Sequence, residues 1–228
     1  MNAIIFSKNR PLQLDCLLRS LKKHCDLFST VTVLYSPERF KEEYQMLTAK
    51  YWDISFVQEN DFNYDFIRLI KYKSDRHVCL LVDDDIFFKD VDVFDISMAM
   101  DEVDIFSLRL GDNITKKVHF GYKSSLDGNV YEKELLLKMG NEVFTNPNQL
   151  ESKLAKYCNS KTMGWFNESR LIGIPANKVS ATSGCSEMGV SVDELNQKFM
   201  DGWEIDFESM DFESNNVHAD IEYKYRRC

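Results

Sequence analysis

The stretch Val78-Cys79-Leu80-Leu81-Val82-Asp83-Asp84-Asp85-Ile86-Phe87-Phe88 sets three adjacent carboxylates between two apolar runs. The first run reads as a buried strand, because five consecutive apolar residues suit a sheet covered on both faces. Three neighbouring carboxylates repel one another and lose solvation there, so the cluster calls for a cation. Hard oxygen ligands of this kind favour Mg²⁺ or Mn²⁺, ions that commonly keep substrate phosphates in their shell. A solvated acidic turn is the plain alternative, and the apolar flanks argue against it. In an open α/β sheet, ligands bind beyond the carboxyl ends of the strands, which is where this triplet falls.

Working outward toward the start, apolar runs alternate with amphipathic segments. Ala3-Ile4-Ile5-Phe6-Ser7 reads as a strand. Pro11 opens a helix in the first-turn position, with Leu14, Leu17, Leu18 and Leu21 at helical spacing. Lys22, Lys23 and His24 suit the negative end of its dipole. Val31-Thr32-Val33-Leu34-Tyr35 is a second strand, and Ser36-Pro37 is expected to cap a helix carrying Phe40, Tyr44, Leu47 and Tyr51. Ile54-Ser55-Phe56-Val57 gives a third strand, and Phe66, Leu69 and Ile70 mark a third helix. The β-α-β-α-β-α-β order implies an α/β fold with a parallel sheet covered on both faces.

Beyond the triplet the pattern loosens. Asp104-Ile105-Phe106-Ser107-Leu108-Arg109-Leu110 is a strand followed by Gly111. From about Val118 to Trp165, polar turns mix with short helices, as suits a substrate-binding half. Ser191-Val192-Asp193-Glu194 is a capping box, which gives Glu194 a structural role. Asp206 to Ser214 carries a short Asp-Phe-Glu-Ser duplication and reads as a solvated acidic loop.

Composition narrows the function classes. The 228 residues include 28 Lys+Arg and 37 Asp+Glu, a formal net charge of −9, which argues against a nucleic-acid partner. Such acidity would also repel a phosphate-bearing substrate unless positive charge is supplied locally. No apolar run approaches the ~20 residues that span a bilayer, so no integral membrane segment is expected. The start, Met1 to Lys8, has no basic leader and does not read as a signal peptide. Cys16, Cys25, Cys79, Cys158, Cys185 and Cys228 form no C-x-x-C pair. Cys16 and Cys79 sit in apolar periodic segments and read as buried reduced thiols, so a reducing, cytoplasmic setting is the expectation. The tail Tyr225-Arg226-Arg227-Cys228 has no terminating feature, which leaves room for a longer multidomain chain.

Leu80-Leu81-Val82-Asp83-Asp84-Asp85-Ile86-Phe87 resembles the DXD segment of the GT-A nucleotide-sugar glycosyltransferases, in particular family 2-like bacterial and viral members. Ile4-Ile5-Phe6-Ser7-Lys8-Asn9-Arg10-Pro11 is similar to their first βα unit, where the nucleotide base and ribose lie. Further similar blocks are Phe106 to Gly111, Ser125-Leu126-Asp127-Gly128, and Asp193 to Phe199 with Asp201-Gly202-Trp203 after it. Together they span nearly the whole chain. The resemblance implies a Rossmann-like, mostly parallel sheet in one GT-A domain over 1–228. Residues 1–110 would form the nucleotide-binding half and 111–228 the acceptor-binding half. It further implies a metal-dependent transferase that moves a sugar from a nucleoside diphosphate donor, a UDP-sugar, to a hydroxyl of a glycan or small acceptor.

By the same resemblance, Asp83 and Asp85 are the outer DXD carboxylates, contacting ribose and metal, with Asp85 the stronger metal ligand. Asp84 orients the loop or touches the donor sugar. His218 stands where several such enzymes place a C-terminal histidine on the same Mn²⁺ or Mg²⁺; a surface histidine in a polar tail is its plain reading. Ser7 falls in the nucleotide-facing unit. Asp127 precedes Gly128, which allows close backbone approach. It is the candidate base for deprotonating the acceptor hydroxyl, a hydrogen-bond partner of the donor sugar, or simply part of a turn. Glu187 and Asp201 are weaker base candidates. Arg10 and Arg109 are candidate phosphate or base contacts, since a guanidinium fork suits diphosphate oxygens; each is otherwise an arginine paired with a carboxylate. Trp165 and Trp203 are candidate platforms for sugar rings, or core.

Other nucleotide chemistries lack their signatures. No G-x-G-x-x-G follows the first strand, and no G-x-x-x-x-G-K-[ST] occurs anywhere. A non-catalytic nucleotide- or carbohydrate-binding module on the same fold is the competing reading; it would have no need of the Asp83–Asp85 cluster.

Overall fold

The computed structural model describes residues 1–25, 28–114, 120–177, 189–212, 216–218 and 221–228. The first elements are β1 (Asn2–Lys8), α1 (Pro11–His24), β2 (Thr30–Ser36), α2 (Lys41–Lys50), β3 (Ser55–Gln58), α3 (Phe62–Tyr72) and β4 (His77–Val82). They alternate as the hydrophobic periods imply. Pro11 sits in the first turn of α1, and Lys22, Lys23 and His24 fill its last turn. The helix α2 starts later than Ser36-Pro37 suggested, with Phe40 at its N-cap. The intervening turn is tied elsewhere: the Arg39 backbone N–H donates to Asn9 Oδ1 at 3.1 Å.

After β4 come β5 (Asp85–Phe87), α4 (Val93–Ala99), β6 (Ile105–Gly111), β7 (Asn129–Glu132), α5 (Lys133–Leu137), α6 (Pro147–Cys158), β8 (Met163–Phe166) and β9 (Leu171–Gly173). The chain closes through α7 (Val192–Met200), β10 (Trp203–Ile205) and β11 (Tyr225–Arg227). Seven strands form the central sheet in the order β3-β2-β1-β4-β7-β6-β8. All neighbours pair parallel except β7, which runs antiparallel to both β4 and β6. The expected parallel sheet is therefore correct for β1 to β4, and β7 lies inside a region read as turns and short helices.

Strand alternation splits the core. Ala3 and Ile5 face one side, with Leu17 and Leu18 of α1, Tyr44 of α2 and Ile96 of α4. Ile4 and Phe6 face the other, against Phe66 of α3, Leu136 of α5 and Leu154 of α6. A third apolar cluster joins Leu12 and Cys16 to Ile86, Ile172, Leu195, Ile205 and Tyr223, fastening the C-terminal segments onto the outer side of α1. Cys16 and Cys79 are buried thiols, as expected; Cys25 and Cys158 are buried too, Cys228 is exposed, and Cys185 lies outside the described residues. The acidic stretch from Asp206 is no free loop over its described part. Phe207 and Met210 are buried, and Glu208 pairs with Lys23 and Arg226. Among the described residues no helix is long and apolar enough to cross a membrane.

Candidate active site

The carboxyl ends of β1 and β4 lie side by side, Phe6 opposite Val82. The Asp83 N–H still donates to Phe6 O (3.1 Å), continuing the ladder one residue past the strand. That register sets the Asp83 side chain beside the Ser7–Arg10 turn. Asp83 Oδ2 accepts from Ser7 Oγ (2.9 Å) and from the Lys8 N–H (3.0 Å), and Oδ1 accepts from Arg10 Nη1 (2.9 Å). The same Nη1 reaches Asp84 Oδ2 at 3.1 Å. Ser7 Oγ and Tyr44 Oη are 2.6 Å apart, and the Arg10 N–H donates to that tyrosine oxygen. The remaining Arg10 nitrogens are taken by Asn177: Nε donates to Oδ1 at 2.9 Å and Nη2 to the backbone carbonyl.

Burial governs the charges in this corner. It pushes the Asp83 carboxyl up to about 6 against the pull of Arg10. Burial also works against the Arg10 charge, but Asp84 and Asp83 outweigh it and hold its proton more tightly than usual. Arg10 is thus a buried counterion that closes the loop, with its fork spent on Asp83, Asp84 and Asn177. Of the two readings its sequence allowed, this geometry matches the arginine paired with carboxylates.

Asp85 belongs to a different group, although only two residues separate it from Asp83. The chain turns at Asp83–Asp84, so Asp85 starts β5, which pairs antiparallel with β9 as Asp85 opposite Gly173. Gly173 in turn bridges to His218, and its N–H donates to Val217 O at 3.2 Å. Asp85, Gly173 and His218 therefore lie abreast across three short segments. The middle place is tight: an added Cβ would stand 3.0 Å from His218 Cδ2, so the imidazole would have to give by a few tenths of an ångström. Asp85 is fully buried; Oδ2 accepts from the Val82 N–H (3.0 Å), and Oδ1 has no hydrogen-bond partner. Burial, then the nearby Asp127, raises its carboxyl well above the usual range.

Arg109, from β6, is the hub of this second group. Its Nη1 lies 2.5 Å from Asp127 Oδ2 and 3.1 Å from His218 Nε2, and Nη2 donates to Ser125 Oγ at 3.1 Å. Its guanidinium also lies over the Tyr122 ring, 5.5 Å from the centroid. A guanidinium only donates, so His218 Nε2 accepts and its one lone pair is directed at Arg109. Asp127 Oδ2 is 4.0 Å from that nitrogen. Asp127 and His218 are partly exposed at the mouth, while Asp85 and Arg109 are buried beneath them.

The donor set suits a divalent cation in part. Asp85 keeps an unpartnered oxygen, whereas the His218 Nε2 lone pair is taken by Arg109 and both oxygens of Asp83 are committed to Ser7, Lys8 and Arg10. Among the described residues no three His, Cys, Asp or Glu side chains group as a complete metal cage. Mg²⁺ and Mn²⁺ need no such cage, since one or two protein oxygens plus water and phosphate complete their shell.

Ser7, Arg10, Asp83 and Asp84 thus meet in one group and Asp85, Arg109, Asp127 and His218 in another. Other candidates lie elsewhere. Glu187 is outside the described residues. Asp201 caps the C-terminus of α7, its carboxylate accepting from Gln197 at 2.9 Å, and the Glu194 capping box is present. The Trp165 indole donates to Asp112, and Trp203 lies under Arg227 and Lys198 on the β10–β11 ribbon. Tyr44 was read only as part of an apolar helix stripe and Ser125 only within a similar block, and Asn177 was not picked out by its sequence.

Comparisons with known proteins agree with this architecture. No family model matches the chain. The bifunctional glycosyltransferase pgtA of Dictyostelium discoideum is 26% identical over 126 residues, 49% of this chain and 16% of that protein. S. aureus TarS 1-349 in complex with UDP-GlcNAc superposes with a TM-score of 0.57 at 14% identity, over 82% of this chain and 62% of that one. Its complex with UDP gives 0.54 at 14% identity, over 75% and 60%. The chain thus spans about a sixth of the curated relative and about three fifths of the TarS chains. It has a GT-A-type fold, and about half of it is similar in sequence to that glycosyltransferase.

Proposed function

We propose that the chain is a metal-dependent glycosyltransferase, a single GT-A domain with a nucleotide half over 1–110 and an acceptor half over 111–228. It moves a sugar from a nucleoside diphosphate-sugar, a UDP-sugar, to a hydroxyl of a glycan or small acceptor. The observation that carries this reading is the meeting of Asp85, Arg109, Asp127 and His218 beyond the carboxyl ends of the sheet. The UDP and UDP-GlcNAc bound by TarS, and the glycosyltransferase activity in the name of pgtA, support the donor class.

In this reading Asp85 would hold Mn²⁺ or Mg²⁺, joined by His218 once its Nε2 is released from Arg109. When bound, the ion would neutralise negative charge on the departing diphosphate. Asp83, braced by Ser7, Lys8 and Arg10, shapes the ribose end of the donor, and Asp84 orients the turn between the two groups. Asp127, at the mouth, accepts the proton of the attacking hydroxyl. Arg109 fixes Asp127 and adds a permanent positive charge on the leaving-group side. The setting is cytoplasmic, which the buried thiols support.

The test uses the whole chain with Mn²⁺ and a panel of nucleotide-sugars, reading released nucleoside diphosphate with and without EDTA. UDP release that needs Mn²⁺ and is lost in Asp85→Asn is expected. Tight UDP binding with no turnover of any donor would instead favour a binding module. Full activity in Asp85→Asn would remove Asp85 from the metal.

A further inference from the structure

Two polar side chains of β7, Asn129 and Tyr131, share one face of the strand and are buried. The resemblance gives neither a role. Asn129 Nδ2 donates to Tyr122 O at 2.7 Å and to Tyr131 Oη at 3.1 Å, which uses both of its hydrogens. The phenol passes its own proton onward: Tyr131 Oη donates to Ser125 O at 2.6 Å, with Lys123 O within reach at 3.1 Å. An amide nitrogen only donates and a carbonyl only accepts, so the chain runs in one direction. Three carbonyls of the turn from Tyr122 to Ser125 thus converge on two side chains of one strand. That strand is itself held on both sides, Asn129 pairing with Leu80 of β4 and Ser107 of β6.

The same turn carries much of what surrounds Arg109. The Tyr122 ring lies 5.5 Å from the guanidinium, and Ser125 Oγ accepts from Nη2 at 3.1 Å and from the Asp127 N–H at 3.3 Å. Asp127 Oδ2 completes the group, 2.5 Å from Nη1. We infer that Asn129 and Tyr131 are positioning residues: their hydrogen-bond chain holds the Tyr122–Ser125 turn against Arg109 and thereby sets the Asp127–Arg109 pair. This rests on the proposed role of Asp127 as base. Deleting the phenol oxygen takes a donor from Ser125 O and an acceptor from Asn129 Nδ2, in a place where water cannot replace them. The turn then shifts to recover partners. The group of Ser7, Arg10 and Asp83 shares none of these bonds, so the loss falls on kcat and not on donor binding.

The test compares wild type with Tyr131→Phe, which deletes one oxygen and keeps the buried ring, and with Asn129→Leu. A control, Tyr51→Phe, deletes another buried hydroxyl, one that donates to Asp15 Oδ1 at 2.8 Å and serves no residue of the site. The readouts are Tm, and kcat and KM for UDP-GlcNAc with Mn²⁺. Tyr131→Phe and Asn129→Leu should each lower kcat about 10-fold with KM within about 2-fold. Because both act through one turn, the double variant should be little slower than either single one. Tyr51→Phe should lower Tm and leave kcat unchanged. Unchanged kcat in Tyr131→Phe, a loss carried by KM alone, or an equal kcat loss in Tyr51→Phe would overturn the assignment. If wild type releases no UDP, the proposed activity fails separately. The positioning claim is then decided by crystal structures of wild type and Tyr131→Phe. Loss of the Asp127–Arg109 pair in the variant supports it, and superposing turns overturn it.

Discussion

At the scale of single residues, two buried arginines divide the site. Arg10 is wrapped by Asp83, Asp84 and Asn177, and Arg109 by Asp127, Ser125 and His218. Removing a partner from a buried charge pair costs far more than the pair contributes, because the other charge is left stranded. Arg10→Ala strands Asp83 and Asp84, and we expect it to cost about 3–5 kcal/mol in urea unfolding, with little refolded protein at 37 °C. Arg109→Lys keeps the charge but cannot reach Asp127, His218 and Ser125 together, so kcat for donor turnover should fall about 100-fold with the fold intact by circular dichroism. The Asp83-Asp84-Asp85 triplet was plain in the sequence, but its division between two groups was not. In a continuous strand, residues two apart share a face; here the chain turns between β4 and β5 and sends Asp83 and Asp85 apart. Asn177 gave no signal at all, since its partner Arg10 is 167 residues away.

At the scale of elements, the first four strands and three helices were legible because each carries an unbroken hydrophobic period. β7 was not: Asn129-Val130-Tyr131-Glu132 is four residues long and is followed directly by α5. Its place is fixed by long-range pairing with β4 and β6, which no local pattern reports. The antiparallel direction matters for the site, because it puts the start of β7 at the edge where β4 and β6 end. The turn before β7 therefore delivers Asp127 to that edge. Gly128 makes this possible with φ +79°, and a Cβ there would lie 2.2 Å from Leu171 Cδ2. Gly128→Ala should destabilise by at least about 1 kcal/mol and lower kcat more than donor affinity, measured by unfolding and by calorimetry with UDP. On β9, Gly173→Ala should push His218 away from Arg109 and raise the Mn²⁺ concentration needed for half-maximal activity.

At the scale of the molecule, the net charge of −9 is partly enclosed. Asp83, Asp85 and Glu151 are carboxyls raised by burial, and the folded state binds protons that the unfolded chain releases. For Glu151 the window runs from its unfolded value, about 4.3, to about 7. Its contribution to stability is largest at the acid end of that window and falls as pH rises. Asp104 and Glu208, lowered to about 2 by ion pairs and hydrogen bonds, change only below it. The gap in Tm between wild type and Glu151→Gln should therefore shift in favour of the variant from pH 5 to pH 7.5, then level off. A gap independent of pH would show that Glu151 is not raised. The sheet order carries one more consequence, for the time course of folding. Within the central sheet β7 alone stands between the β3-β2-β1-β4 block and β6, so the sheet is continuous only once residues 129–132 insert between them. The first block closes only when Asn2 meets Val78, and β7 enters only when Asn129 meets Leu80, so both steps wait on non-local contacts and come late relative to helix formation, which is local. Asp85 and Asp127 come together in that late step, and recovery of activity on refolding should lag behind recovery of helix signal.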